Sequence, residues 1–225
     1  MDSGEVLRYL GCRDDSPDQR LLALIQELSD ELKANTAPKN VYGIWDVRVE
    51  SPEVSLGGLT VKSESLSRHL AGCDKAALLA VTLGTGADTL IRRYSVRDME
   101  KAVVAQAICT AMIESYCDEV RGELTKRDEV IGLFQRAQFS PGYGDFAIAH
   151  QEDIIRLLNC DRRIGLTITD GYMLVPSKSI TAIIGFSKQE SREENRGENR
   201  GKDRNENCAV KKCDNCDNKK CEFRR

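Results

Sequence analysis

Aromatic residues make up only 5% of this 225-residue chain, and there are two histidines. No uninterrupted apolar run approaches the roughly 18 to 20 residues that a membrane span needs, which predicts a soluble protein with no membrane partner. Residues 1–5 (MDSGE) carry acids and no apolar stretch of signal-peptide length, so a cytoplasmic location is expected. No G-x-x-x-x-G-K-[ST] or G-x-S-x-G string occurs, which excludes P-loop NTPase and α/β-hydrolase readings. Leu83-Gly-Thr-Gly-Ala-Asp88 holds a G-x-G without a third glycine at the dinucleotide spacing, and reads as a strand end followed by a helix cap. His69 and His150 lack the H-E-x-x-H context of a helical zinc pair, so surface positions are expected for both.

What the chain does have is cysteine. There are nine, an odd number that cannot pair completely within one chain, and with no export signal in view a disulfide framework is not expected. Five are scattered (Cys12, Cys73, Cys109, Cys117, Cys160), whereas Cys208, Cys213, Cys216 and Cys221 crowd the end. Charge is uneven too: residues 208–225 hold six basic and three acidic side chains, while residues 188–207 hold six of each. The net charge of −3 therefore averages a basic tail and a body of about −6.

These shifts divide the chain into three. Residues 1–187 have the composition of a folded body. Residues 188–207 (KQESREENRGENRGKDRNEN) contain no aliphatic or aromatic side chain to offset ordering, and are expected to form a disordered charged linker. Residues 208–225 form the Cys-rich tail. Its gaps of four, two and four residues suit four thiolates closing on zinc or holding an iron–sulfur cluster, and the alternative is a tail of free thiols. Lys211, Lys212, Lys219 and Lys220 would lower the thiol pKa values. With one aromatic, Phe223, beside six basic residues in that tail, no nucleic-acid partner is expected.

Within the body, Pro17 and apolar residues at 21, 22, 24, 25, 28 and 32 predict an amphipathic helix to about Asn35. Residues 41–50 (VYGIWDVRVE) predict a strand ended by Ser51-Pro52, and a turn follows at Gly57-Gly58. A short helix is expected over 63–69 and a buried strand over 76–83. Met99, Val103, Val104, Ala107, Ile108, Ala111, Met112 and Tyr116 place an apolar stripe on the longest helix, 96–124, which should be the spine of the core. A further helix at 148–158 and two β-rich runs over 164–187 complete an α+β pattern, with no regular βαβ alternation.

Two segments could carry a site. In Ser140-Pro-Gly-Tyr143, Pro at the second and Gly at the third position suit a type II turn. Such a turn brings backbone N–H groups close to a ligand carboxylate and offers the Tyr143 ring to a heterocycle; otherwise it is a strand-to-helix connection. Pro176-Ser-Lys-Ser179 reads either as a hydroxyl-rich wall with one ammonium or as a surface hairpin.

With these residues in view, the body resembles the activation (reactivation) domain of cobalamin-dependent methionine synthase, in its stand-alone form. The resemblance covers nearly all of 5–187. It rests on Glu5-Val-Leu-Arg-Tyr-Leu-Gly11, Val81-Thr-Leu-Gly-Thr-Gly-Ala-Asp88, Phe139-Ser-Pro-Gly-Tyr-Gly-Asp145, Ile164-Gly-Leu-Thr-Ile-Thr169 and Leu174-Val-Pro-Ser-Lys-Ser179, in that order. It implies a single C-shaped α+β domain, with a mixed or antiparallel sheet and flanking helices. It also implies a groove for S-adenosylmethionine and a cobalamin-bearing partner chain, either methionine synthase or another corrinoid protein. An oxidised Co(II) cofactor would there regain its methyl group, using one electron from a flavodoxin- or ferredoxin-like donor. Such a role is positional and needs no acid, base or triad from this chain, so no catalytic residue is expected.

Carried over residue by residue, the resemblance assigns ligand contact to Ser140, Pro141, Gly142 and Tyr143, with Asp170, Pro176 and Ser179 along the groove. Gln138 stands where the family has an arginine for the methionine carboxylate, and Arg136, two residues earlier, would lie on the same strand face. Losing a charge-assisted bidentate contact costs about 1.5 to 3 kcal/mol. That loss keeps open a second reading, in which the protein is a non-catalytic docking or electron-delivery adaptor that uses its Cys tail.

Overall fold

The computed structural model describes residues 3–12 and 18–189. They belong to one compact unit, Met1–Gln189, and a second unit, Glu190–Arg225, lies outside the described residues. The expected linker and the candidate metal ligands Cys208, Cys213, Cys216 and Cys221 fall in that second unit.

The expected α+β architecture is realised as three layers around one sheet. Its strand order is β3-β2-β1-β4-β8-β5, with β1 Lys39–Glu50, β2 Glu53–Leu56, β3 Leu59–Lys62, β4 Lys75–Thr82, β5 Phe134–Phe139 and β8 Ser179–Ser187. Every neighbouring pair is antiparallel. A separate hairpin joins β6 Thr167–Ile168 to β7 Leu174–Val175.

β4 is the central element. Ala76 to Val81 are wholly buried, because β1 and β8 pair with its two edges and helices cover both faces. Ala77, Leu79 and Val81 point toward α1 Ser3–Tyr9, α2 Gln19–Asn35, α4 Thr85–Arg97 and α5 Met99–Leu124. Ala76, Leu78 and Ala80 point toward α3 Glu64–His69, α6 His150–Leu158 and α7 Cys160–Ile164. The near-continuous apolar run reflects this double burial, which alternation would not.

The spine helix needs two corrections. Asp98 ends α4, its N–H donating to the Tyr94 carbonyl at 2.8 Å, and its carboxylate then accepts from Lys101 N–H at 3.1 Å to open α5. One acidic residue thus caps both helices, and residues 96 and 97 belong to α4. Met99 and Val103 are 65% and 53% exposed, outside the core stripe. The buried set instead includes Ala102, Val104, Ala105, Ala107, Ile108, Cys109, Ala111, Ile113, Cys117, Val120 and Leu124. A helix apolar around so much of its circumference is packed between other helices and a sheet. The amphipathic helix α2 starts at Gln19 behind an Asp18 cap.

The G-x-G string does what its reading implied. β4 ends at Thr82, Gly84 takes φ +79° at the N-cap, and α4 starts at Thr85. Gly86 packs so closely on the end of α2 that a Cβ would overlap the Asn35 carbonyl oxygen. Among the described residues no helix is long and apolar enough to cross a membrane. Gly86→Val is expected to lower unfolding stability by about 2 kcal/mol or more through this overlap, read as a lower urea midpoint, whereas Gly122→Ala, at a position with open space, should not.

Candidate functional site

β5 is an edge strand that leads into residues 140–143. Its pairing with β8 slips between Gln135 and Gln138: Gln135 opposes Phe186 and Gln138 opposes Ile184. Ladder partners two residues apart on β8 are thus matched by residues three apart on β5, the signature of a bulge. Gln135 and Gln138 therefore share the α5 face. Gln135 Nε2 donates to the Arg121 carbonyl at 2.9 Å, and the Cys117 thiol donates to Gln138 Oε1 at 3.0 Å. Gln138 Nε2 lies 3.5 Å from Glu114 Oε2. Arg136 turns to the opposite face, where its guanidinium donates to the Ala71 carbonyl at 2.9 Å near Cys73. The expected shared face of Arg136 and Gln138 does not exist, since a two-residue step keeps a face only in a regular strand. Gln138, 7% exposed, is a buried amide among α5 side chains.

The turn forms as its sequence requires. Tyr143 N–H donates to the Ser140 carbonyl at 3.1 Å, and Gly142 has φ +97°. Its amides are committed to the chain itself, because Gly142 N–H donates to the Phe146 carbonyl at 2.7 Å and Phe146 N–H returns to Tyr143 at 3.0 Å. What the turn presents outward is the Tyr143 ring, 43% exposed. Phe139 meets that ring edge-on at 5.7 Å and lies 4.9 Å from His69. Phe146, the next ring, stacks on His150 at 5.5 Å. Both histidines flank the turn, partly exposed; His69 Nε2 lies 2.8 Å from the Ala137 carbonyl and His150 Nδ1 2.9 Å from Asp153.

Asp145 anchors this turn, a role its sequence position did not reveal. Its carboxylate accepts from Ser63 Oγ at 2.6 Å, Glu64 N–H at 2.7 Å and Ser65 N–H at 3.0 Å, at the start of α3. Ser63 Oγ in turn accepts from Leu66 N–H at 3.0 Å. These donors hold the Asp145 carboxyl well below the usual carboxylate range, the Ser63 hydroxyl contributing most. Gly144 is needed for the approach: its φ is +55°, and a Cβ there would stand 2.8 Å from Ser65 Cβ.

The 176–179 segment is a strap tied to both helices behind it. Ser177 sends its N–H at 2.8 Å and its hydroxyl to the Asp88 carboxylate in the first turn of α4. Ser179 Oγ lies 2.8 Å from Thr82 Oγ1 and 2.7 Å from the Pro176 carbonyl, and Pro176 is buried. Lys178 reaches α5, where its ammonium donates to the Gln106 carbonyl at 3.2 Å and to Thr110 Oγ1 at 3.0 Å. Asp170 stands apart on the exposed tip between β6 and β7.

The candidates therefore form three groups: Ser140–Tyr143 on the aromatic side of β5, Gln138 on its α5 side, and the strap farther along α5. Glu114, Thr110 and Cys117 join the last two, and helical spacing alone gave no sign that their stripe faces β5 and the strap. Among the scattered cysteines, Cys109, Cys117 and Cys160 are buried, and burial pushes Cys109 up to about 11 and Cys160 up to about 12. Among the described residues no cluster of His, Cys, Asp and Glu is placed to hold a metal ion. Asp145→Asn should lower stability at pH 7. Because the carboxyl is depressed in the fold, that penalty is full above the free value near 4 and shrinks as pH falls below it, which urea unfolding at pH 7, 5 and 3 will show.

Residues 65–212 match the family model described as the activation domain of vitamin B12 dependent methionine synthase. Among solved structures, one reported as the crystal structure of the MetH reactivation domain bound to AdoHcy superposes with a TM-score of 0.61 at 16% identity. That match covers 77% of this chain and 66% of the other, so the likeness establishes the fold. No curated protein matches. With the family match spanning well over half its length, the chain belongs to the vitamin B12-dependent methionine synthase activation-domain family.

Proposed function

We propose that this protein is an S-adenosylmethionine-binding reactivation partner of a cobalamin-dependent methyltransferase, most simply methionine synthase, carried on another chain. Its role there is to support reductive methylation of cob(II)alamin to methylcobalamin. Family membership supports the cobalamin partner, and the related fold of a domain whose structure holds AdoHcy supports the ligand class.

The observation that carries the reading is the Tyr143 ring, held outward on a turn whose conformation Gly142, Gly144 and Asp145 fix together. An aromatic face kept half-exposed by so many internal bonds is pre-organised for a flat ligand. The residues fit the proposed ligand's chemistry. Tyr143, on the aromatic side of β5, would take the adenine. Ser140, Pro141 and Gly142 shape the turn, while Pro176 and Ser179 hold the strap. S-adenosylmethionine supplies a methyl on sulfonium; this chain's residues bind and orient it, which is catalysis by proximity. The electron would come from a flavodoxin- or ferredoxin-like donor.

Gln138 gives the adaptor reading its support, because a neutral, internally bonded amide replaces the cation expected there. In that reading the four-Cys tail, Cys208, Cys213, Cys216 and Cys221, carries zinc or an iron–sulfur cluster that docks on, or delivers an electron to, the corrinoid protein.

Titration calorimetry is expected to show binding of S-adenosylmethionine that weakens roughly 3- to 10-fold in Tyr143→Ala, the loss of one stacking contact. No heat with or without a cobalamin partner overturns the ligand assignment. Metal analysis and an absorption spectrum of anaerobically purified full-length protein decide the tail: a visible band with iron supports electron delivery, and a colourless protein with one zinc per chain excludes it.

A further inference from the structure

His69 closes a short helix onto the candidate site. α3 has six residues, too few to hold a helix by backbone bonds alone, and it is fastened to the segment 136–145 at both ends. At its start, Asp145 accepts from Ser63, Glu64 and Ser65. At its end the fastening runs in both directions: Arg136 donates to the Ala71 carbonyl at 2.9 Å, and His69 Nε2 lies 2.8 Å from the Ala137 carbonyl. Arg136 and Ala137 are the two residues that stand opposite the single Gly185 in the β5 bulge, so His69 meets a carbonyl where the ladder is interrupted. A carbonyl only accepts, which puts a hydrogen on Nε2 of the imidazole.

That bond restrains the imidazole plane, and the plane lies against Phe139. The two ring centroids are 4.9 Å apart with the planes tilted by 30°. Phe139 also meets the buried ring of Phe146, at the longer distance of 6.2 Å. Tyr143 in turn meets one ring among the described residues, Phe139, edge-on at 5.7 Å. Gly142 and the bonds within the turn fix the backbone of Tyr143, but the torsions of an outward side chain are selected by its neighbours. The chain of contact therefore runs from the Ala137 carbonyl to His69, from His69 to Phe139, and from Phe139 to the ring assigned to the ligand. Its members all lie on the aromatic side of β5.

We infer that His69 is a positioning residue for the ligand: held by the Ala137 carbonyl, it sets Phe139 and, through Phe139, the face that Tyr143 presents. The inference rests on the proposed S-adenosylmethionine site and deepens it, because affinity then depends on a side chain that acts only through another.

Calorimetry with S-adenosylmethionine on the full chain tests this as a double-mutant cycle of Tyr143→Ala and His69→Gln, the second keeping an N–H for the Ala137 carbonyl while removing the ring. Loss of one ring contact is expected to weaken binding roughly 2- to 5-fold in His69→Gln. The double variant should bind no more weakly than Tyr143→Ala alone, since a residue that acts through Tyr143 then has nothing to act on, whereas a general loosening of the fold would multiply the two losses. His69→Phe, which returns a flat ring, should recover most of the affinity. Multiplied losses, or wild-type affinity in His69→Gln, overturn the role of His69 and leave the site standing. Unchanged affinity in Tyr143→Ala, or wild type that binds no ligand, removes the site and this inference together. A thermal melt of each variant confirms that the fold survives; should His69→Gln not fold, His69→Leu takes its place in the cycle under the same criteria.

Discussion

A single strand with no exposed side chain from Ala76 to Val81 sets the terms for everything else. β4 is bonded along both edges and covered on both faces, so neither hydrogen bonding nor packing leaves it room to shift. Its alanines at 76, 77 and 80 keep the layers close. β8 inherits its register from β4, and β5 inherits its register from β8. The candidate site hangs at the end of this chain of dependence, on an edge strand whose position is fixed from the centre outward.

Around the site, polar groups are held by bonds inside the protein. Asp145 is consumed by the start of α3, Asp88 by Ser177, and the turn amides by neighbouring carbonyls. The Tyr143 ring is what the turn leaves exposed.

The legible parts of the fold were those governed by local rules. β1, β4, α2, α6 and the Pro-Gly turn follow from hydrophobic period and from the φ demands of Pro141 and Gly142. The break at Asp98 was harder, because an aspartate that caps on both sides looks like a polar residue within one long helix. β2 and β3 were hidden for another reason: four residues each, flanking Gly57-Gly58, are too short to show a period. The site was less legible still. Asp145 acts through donors some eighty positions earlier in the chain, and no spacing rule reaches that far. Thr110 and Glu114 matter because of what β5 and the strap bring to them.

The slipped pairing in β5 also decides which neighbours a substitution in that strand would reach. In a regular strand, Arg136 and Gln138 would share one environment, and a change at either would be felt by the same neighbours. The extra residue assigns them to separate layers, one answering to Ala71 and the other to α5. A substitution at Arg136 then leaves the partners of the buried amide in place, and one at Gln138 leaves the bond from Arg136 to Ala71 in place. One extra residue in an edge strand thus gives its two sides separate packing neighbours.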